Sequence, residues 1–154
     1  MNKDSPGVII LPPVLYGVAV LLALLLNWVW PLSILPSTAT AFWSGVPLLL
    51  LSGALALWGK RSMKQAGTNI NPLQPATCIV ITGPFRFSRN PLYLSLTILL
   101  TGLSLIANNL WGLIAIVPVL VVLHFGVILR EERYLEAKFG ESYRQYRSKV
   151  RRWL

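Results

Sequence analysis

Four apolar stretches dominate the chain, and each is long enough to cross a bilayer as a helix. A spanning helix needs about 20 mostly apolar residues. The pattern predicts such helices at about 10–30, 41–59, 91–107 and 110–129. Polar residues gather in a loop at 60–90 and in a tail at 130–154. We therefore predict an all-α integral membrane protein with about four transmembrane helices, folded as a single domain over residues 1–154.

Glycine and proline mark where the predicted helices begin, end or bend. The second helix is expected to continue as far as Ala66, with Gly67 as its C-cap. Pro91 suits the first position of the third helix, and Pro118 predicts a kink in the fourth. The tail at 130–154 repeats apolar residues every three to four positions, which predicts helix, and Gly140 is expected to divide it into two pieces.

The distribution of charge supports a membrane location. The chain is 55% hydrophobic and 12% charged, whereas soluble domains carry roughly 25% charged residues. Residues 5–59 and 90–129 contain no Lys, Arg, Asp or Glu. The net charge of +9 comes from basic residues beside the predicted spans. That placement favours the bilayer as partner over nucleic acid, and it predicts a cytoplasmic loop, tail and N-terminus by the positive-inside rule.

Several kinds of site are disfavoured by residue counts. One cysteine, Cys78, allows no internal disulfide, and one histidine, His124, leaves no metal-ligand cluster. His124 falls in the fourth helix, where an ionisable residue is a candidate functional group. A neutral histidine bonded to a neighbouring helix explains it equally well.

A polar cluster is predicted where the third and fourth helices meet the loop. The short turn between these helices makes them a hairpin, so Glu131-Glu132 must lie near the start of the third helix. Arg86 and Arg89 are the expected partners of the two carboxylates, with Tyr93 nearby. Such a cluster serves either an amphipathic ligand with a cationic part or a structural salt-bridge network.

Two motifs in this region resemble the isoprenylcysteine carboxyl methyltransferase family, which is related to the membrane phospholipid methyltransferases. The first is Gly83-Pro-Phe-Arg-Phe-Ser-Arg-Asn-Pro-Leu-Tyr93. The second is Glu131-Glu-Arg-Tyr-Leu-Glu-Ala-Lys-Phe-Gly-Glu-Ser-Tyr-Arg-Gln-Tyr-Arg-Ser-Lys-Val150. The resemblance covers about residues 60–153, and the first two helices match only in hydropathy.

The resemblance implies a methyltransferase that uses S-adenosylmethionine and acts on a lipidic or small acceptor. It implies cofactor binding by Thr77, Cys78, Ile79, Val80, Phe85, Asn90, Pro91, Leu92, Tyr93 and Glu131. The catalytic candidates are Arg89, Asn90, Glu131 and Glu132. In this interpretation Cys78 is a small packing residue, and no metal is expected.

Two departures from the family pattern bear on the substrate. Asn90 stands where many members have His, so a role that needs protonation is excluded there. Val127 stands where the eukaryotic prenylcysteine enzymes have a substrate-binding Arg, which disfavours a prenylcysteine carboxylate. The alternatives are a phospholipid N-methyltransferase, a non-catalytic membrane protein, and a nicotinamide-dependent membrane reductase on a related fold.

Overall fold

A computed structural model describes residues 4–154, and it contains helices and no β-strand over that range. The helices are α1 Pro12–Val29, α2 Thr38–Ala66, α3 Pro91–Ile106, α4 Leu110–Leu123, α5 Leu129–Phe139 and α6 Glu141–Lys149. A 3₁₀ turn at Gly83–Arg86 precedes α3, and a π-helical turn at His124–Ile128 joins α4 to α5. The predicted all-α class is confirmed.

All four predicted apolar segments form helices, but the fourth does not end near residue 129, because the helical path continues through the π-helical turn to Phe139. Three helical stretches are long and apolar enough to cross a membrane, namely Pro12–Val29, Thr38–Ala66 and Leu110–Phe139. Pro91–Ile106 is apolar but shorter. Long side chains on these helices point outward, as lipid-facing residues do, among them Leu21, Leu25, Leu50, Val117 and Phe125.

The helix bundle has two different ends. One end, here called the turn end, joins α1 to α2 and α3 to α4 through uncharged turns. Asn108 accepts hydrogen bonds there from the Ile34 and Leu35 amides, both at 2.9 Å. Asn109 caps α4 through the Trp111 amide, and its own amide donates to the Ala23 carbonyl of α1 at 2.9 Å. The predicted Asn108-Asn109 turn therefore also fastens α1 to the hairpin.

The opposite end, here called the charged end, carries the loop, α5, α6 and the N-terminal segment. Gly67 ends α2 with a φ of 74°, and Pro91 opens α3, as the sequence predicts. Gly140, with a φ of 54° that favours glycine, separates α5 from α6. Pro118 lies within α4, while the irregular backbone occurs later, at the π-helical turn.

The tail departs from its prediction at its last residues. The prediction of helix over 130–154 is wrong beyond Lys149, because Val150 adopts an extended conformation and the chain leaves the helix. The Val150 amide closes the last helical turn on the Tyr146 carbonyl, and the next two carbonyls accept hydrogen bonds from the start of α3. The Arg89 amide donates to the Arg151 carbonyl at 2.9 Å, and the Asn90 side chain donates to the Arg152 carbonyl at 3.0 Å.

The buried core lies between α1, α3 and α4 and includes residues of the π-helical turn. It is built from Tyr16, Ala19, Leu100, Val119, Leu123, Val127 and Ile128. Trp153, in the extended tail, packs against this core. The tail therefore belongs to the folded body of the protein.

Candidate functional site

A cavity of about 600 Å³ opens at the charged end. Volumes of this size are typical of sites for small molecules. Nearly all of the residues predicted for the site line it, namely Cys78, Ile79, Val80, Phe85, Arg89, Asn90, Pro91, Leu92, Tyr93, Glu131 and Glu132. The loop, α3 and α5 therefore surround one space, as the sequence predicts.

Thr77 and Arg86 do not line this cavity. The Thr77 hydroxyl donates to the Gly67 carbonyl at 2.8 Å, and its amide donates to the Thr68 hydroxyl, so Thr77 braces the loop. Cys78 lines the cavity, and its thiol donates to the Ala66 carbonyl at 3.2 Å. Arg86 is exposed in the 3₁₀ turn and makes no ion pair within residues 4–154, so its predicted pairing with the carboxylates is wrong.

The two adjacent carboxylates of α5 have different surroundings. Glu131 faces the cavity and accepts a short hydrogen bond of 2.5 Å from the Tyr93 hydroxyl. Glu131 makes no ion pair within the part of the chain that is described. Because α3 begins at Pro91, Tyr93 lies in its first turn and faces α5 across the hairpin.

Glu132, in contrast, is buried and forms ion pairs with two arginines. Arg89 Nη1 lies 3.0 Å from Glu132 Oε1. Arg152 donates from Nε and Nη2 to the two carboxylate oxygens, both at 2.9 Å. This hydrogen bonding to Glu132 raises the pKa of the Arg152 guanidinium. Arg152 was not predicted, because nothing in its sequence context distinguishes it from the other basic residues of the tail.

Asn90 is buried at the junction of the cavity and the tail. Its backbone amide donates to the Ser88 hydroxyl at 3.1 Å, and its side-chain amide donates to the Arg152 carbonyl. Asparagine thus supplies a hydrogen bond that holds the tail. Asn90 is therefore a bracing residue between the start of α3 and the tail.

Three tyrosines that the sequence prediction left out of the site also line the cavity: Tyr134, Tyr143 and Tyr146. The Tyr146 hydroxyl donates to the Phe85 carbonyl at 2.8 Å, which ties α6 to the loop. Tyr143 is 2% exposed and accepts a hydrogen bond from Arg89 Nη1 at 3.4 Å. Burial raises the pKa of both Tyr143 and Tyr146. The sequence signal for Tyr143 and Tyr146 was their position among the apolar residues that recur every three to four positions in the tail.

The N-terminal segment covers one side of the cavity. Tyr134 donates to the Asp4 carboxylate at 2.7 Å and accepts from the Ala76 amide at 3.2 Å. Lys138 pairs with Asp4 at 2.6 Å, and its hydrogen bond lowers the pKa of that carboxyl group. Arg130 donates to the Gly7 carbonyl at 3.0 Å. The segment, the loop and α5 therefore meet around Tyr134.

His124 does not belong to the cavity lining. It lies half-buried in the π-helical turn, with its ring edge-to-face against Phe125 at 4.9 Å between centroids. No group of His, Cys, Asp and Glu that could hold a metal ion occurs within residues 4–154. His124 therefore packs against a neighbouring aromatic ring and does not contact the cavity.

The chain is similar to known proteins over much of its length. The family model described as phospholipid methyltransferase matches residues 40–142, a range that includes most of α2, the loop, Tyr93 and both carboxylates. An uncharacterized protein of Haemophilus influenzae is 50% identical over 64 residues, which is 41% of this chain and the whole of that protein. No solved structure matches the chain.

Proposed function

The chain belongs to the phospholipid methyltransferase family, and we propose from this membership that it uses S-adenosylmethionine to methylate a lipidic acceptor at the cytosolic face of the membrane. Membership in the family implies methyl transfer as the reaction class. Our proposal adds to this reaction class the cofactor, the acceptor and the cytosolic location of the site. They rest on the residues that line the cavity.

The observation that supports this proposal most strongly is that Glu131 has no ion-pair partner within residues 4–154. Every other carboxylate side chain within residues 4–154 makes an ion pair, namely Asp4, Glu132, Glu136 and Glu141. Glu131 instead lines the cavity with Tyr93 as its hydrogen-bond partner. A half-buried carboxylate without a cation favours a ligand that brings one. The amino group of S-adenosylmethionine is such a cation.

The remaining lining fits the other parts of that cofactor. Ile79, Val80 and Phe85 form an apolar wall that suits the adenosine part. Glu131 would hold the amino group, and the Tyr93 hydroxyl fixes the direction of the carboxylate. When bound, S-adenosylmethionine supplies an electrophilic methyl group on a sulfonium sulfur. The residues of the chain bind and orient the reactants and exclude water, which are the contributions that such a transfer needs.

The shape of the cavity favours an acceptor that arrives from the bilayer. α2 packs along α3, whereas α1 packs mainly on α4, so α1 and α2 make almost no direct contact. The cavity extends into this gap, where Val14, Ala56 and Leu96 line it. An apolar chain fits between α1 and α2 while its headgroup lies near the charged end.

The surroundings of Val127 favour a lipid acceptor over a prenylcysteine carboxylate. This residue is fully buried in the core, so the position offers neither a charge nor a path to the cavity. A headgroup amine is the second acceptor chemistry, favoured by the description of the matching family as phospholipid methyltransferase.

Methyl transfer itself tests the proposal. Membranes containing the protein are incubated with radiolabelled S-adenosylmethionine and a total lipid extract, and the labelled lipids are separated and identified. We expect label in one lipid class with the wild-type protein and with Glu141→Gln, an exposed carboxylate outside the cavity. We expect no label with Glu131→Gln. Equal labelling by Glu131→Gln and wild type would contradict the proposed role of Glu131.

A further inference from the structure

The extended segment 150–154 connects the far end of the chain to the start of α3. Three consecutive residues, Ser88, Arg89 and Asn90, donate hydrogen bonds to its backbone. The Arg89 amide bonds to the Arg151 carbonyl at 2.9 Å. The Ser88 hydroxyl and the Asn90 side chain both reach the Arg152 carbonyl, at 3.3 and 3.0 Å. The segment is therefore fixed against the residues that precede Tyr93.

The side chain of Arg152 extends this connection to α5. Its guanidinium holds both oxygens of Glu132 at 2.9 Å, in a bidentate pair that restricts orientation as well as distance. Arg89 holds the same carboxylate from the α3 side at 3.0 Å. The side chains of Arg89 and Glu132 are each only 9% exposed. Glu132 is thus clamped between the start of α3 and the tail.

Fixing Glu132 also fixes the direction of Glu131. Successive residues of a helix point about 100° apart. When Glu132 is directed toward Arg89 and Arg152, the rotation of α5 is set, and Glu131 is directed toward Tyr93 and the cavity. The two adjacent carboxylates therefore have separate roles, one being held by the protein and the other being presented to the ligand.

We propose that Arg152 is a positioning residue for the cofactor site, acting through Glu132 to orient Glu131. The inference rests on the proposed function in so far as the ligand is S-adenosylmethionine. Arg152 is not among the residues that line the cavity, so it acts without touching the ligand. Its replacement should therefore weaken ligand binding through the direction of Glu131, beyond any general loss of stability.

Four variants test this role. Arg152→Ala removes the clamp, and Arg152→Lys keeps the charge without the bidentate geometry. Glu132→Gln removes the clamped charge. Lys149→Ala is the matched control, because Lys149 is an exposed basic residue of the same tail with no hydrogen bond or ion pair from its side chain within residues 4–154. Calorimetry with S-adenosylhomocysteine and thermal unfolding are measured on each detergent-purified protein.

We expect Arg152→Ala to weaken S-adenosylhomocysteine binding about tenfold or more, a change equivalent to about 1.4 kcal/mol. Arg152→Lys should recover part of the loss, and Lys149→Ala should bind like the wild type. Adding Arg152→Ala to Glu132→Gln should cost little further affinity, because the two residues act as one unit. Equal affinity in Arg152→Ala and wild type would overturn the inference. So would Arg152→Lys and Arg152→Ala binding equally weakly.

Hydrogen–deuterium exchange separates this inference from the proposed function. If the wild-type protein does not bind S-adenosylhomocysteine, the proposed function fails. The exchange rates of the Arg89 and Asn90 amides then show whether Arg152 clamps Glu132 and the start of α3. Faster exchange of the peptide containing them in Arg152→Ala than in Lys149→Ala supports the clamp. Equal exchange in the two variants would contradict it.

Discussion

Two neighbouring residues of the same type, Glu131 and Glu132, define the site at the residue scale. Adjacent positions on a helix face different surroundings, and here one carboxylate meets two arginines while the other meets a tyrosine hydroxyl and a cavity. A half-buried carboxylate that lacks a cation has a desolvation cost unless a ligand or hydrogen-bond donors offset it. Tyr93 provides the donor within the described chain.

At the residue scale, Tyr93→Phe removes the one side-chain hydrogen bond that Glu131 accepts within residues 4–154. Hydrogen bonds to charged groups contribute about 1.5–3 kcal/mol. We expect S-adenosylhomocysteine affinity to fall by about tenfold or more, as measured by calorimetry.

Tyr16→Phe is the control for that variant. Tyr16 is buried, and its hydroxyl forms a 2.7 Å hydrogen bond with Thr97, but Tyr16 does not line the cavity. Its replacement should lower the unfolding temperature without changing affinity. If both tyrosine variants bind like the wild type, Tyr93 has no part in orienting Glu131.

Part of this residue-level picture is predictable from the sequence. The short turn between α3 and α4 is enough to predict that Arg89, Tyr93 and the two carboxylates lie close together. Arg152 escapes prediction because it lies in an extended segment without a periodic pattern, twenty residues from Glu132. Its contact depends on tertiary hydrogen bonds from Ser88 and Asn90, which no local signal encodes.

At the element scale, the apolar pattern predicts where helices form, and capping residues predict several of their ends. Gly67 and Pro91 mark helix ends by their backbone preferences alone, so those ends are predictable. The π-helical turn at His124–Ile128 is not, because the apolar pattern runs on through it and only the backbone hydrogen bonding changes. The end of α6 is also missed, since the apolar stripe continues to Val150 while the helical backbone does not.

Close packing of α2 on α3 gives an element-scale prediction. A Cβ added at Gly45 would lie 2.5 Å from the Gly102 carbonyl oxygen and 2.7 Å from Ile106 Cγ1. Gly45→Ala should therefore destabilise the protein by about 1–3 kcal/mol, as overpacking does. Thermal unfolding in detergent measures the change.

Gly53→Ala is the matched variant in the same helix, because a Cβ there meets nothing within 4 Å. It should unfold at the wild-type temperature or slightly above, since alanine favours helix over glycine. If Gly45→Ala and Gly53→Ala behave alike, α2 and α3 do not pack as described.

At the scale of the whole molecule, the charged end and the turn end must lie on opposite sides of the membrane. The positive-inside rule predicts that the charged end is cytosolic. In a Cys78→Ser background, a cysteine introduced at exposed Asn71 marks the charged end, and one at exposed Ser33 marks the turn end. A membrane-impermeant maleimide should label Ser33→Cys, and not Asn71→Cys, when added outside intact cells. The reverse labelling would place the site on the other side.

Binding of S-adenosylhomocysteine to the purified protein tests the proposed cofactor site most directly. Calorimetry in detergent compares the wild type, Glu131→Gln and the control Glu141→Gln, with a nicotinamide cofactor titrated in parallel. We predict micromolar binding by the wild type and the control, at least a tenfold loss in Glu131→Gln at unchanged unfolding temperature, and no binding of the nicotinamide. No binding of S-adenosylhomocysteine by the folded wild type, or undiminished binding by Glu131→Gln, would contradict the proposed role of Glu131 and of the cavity that it lines.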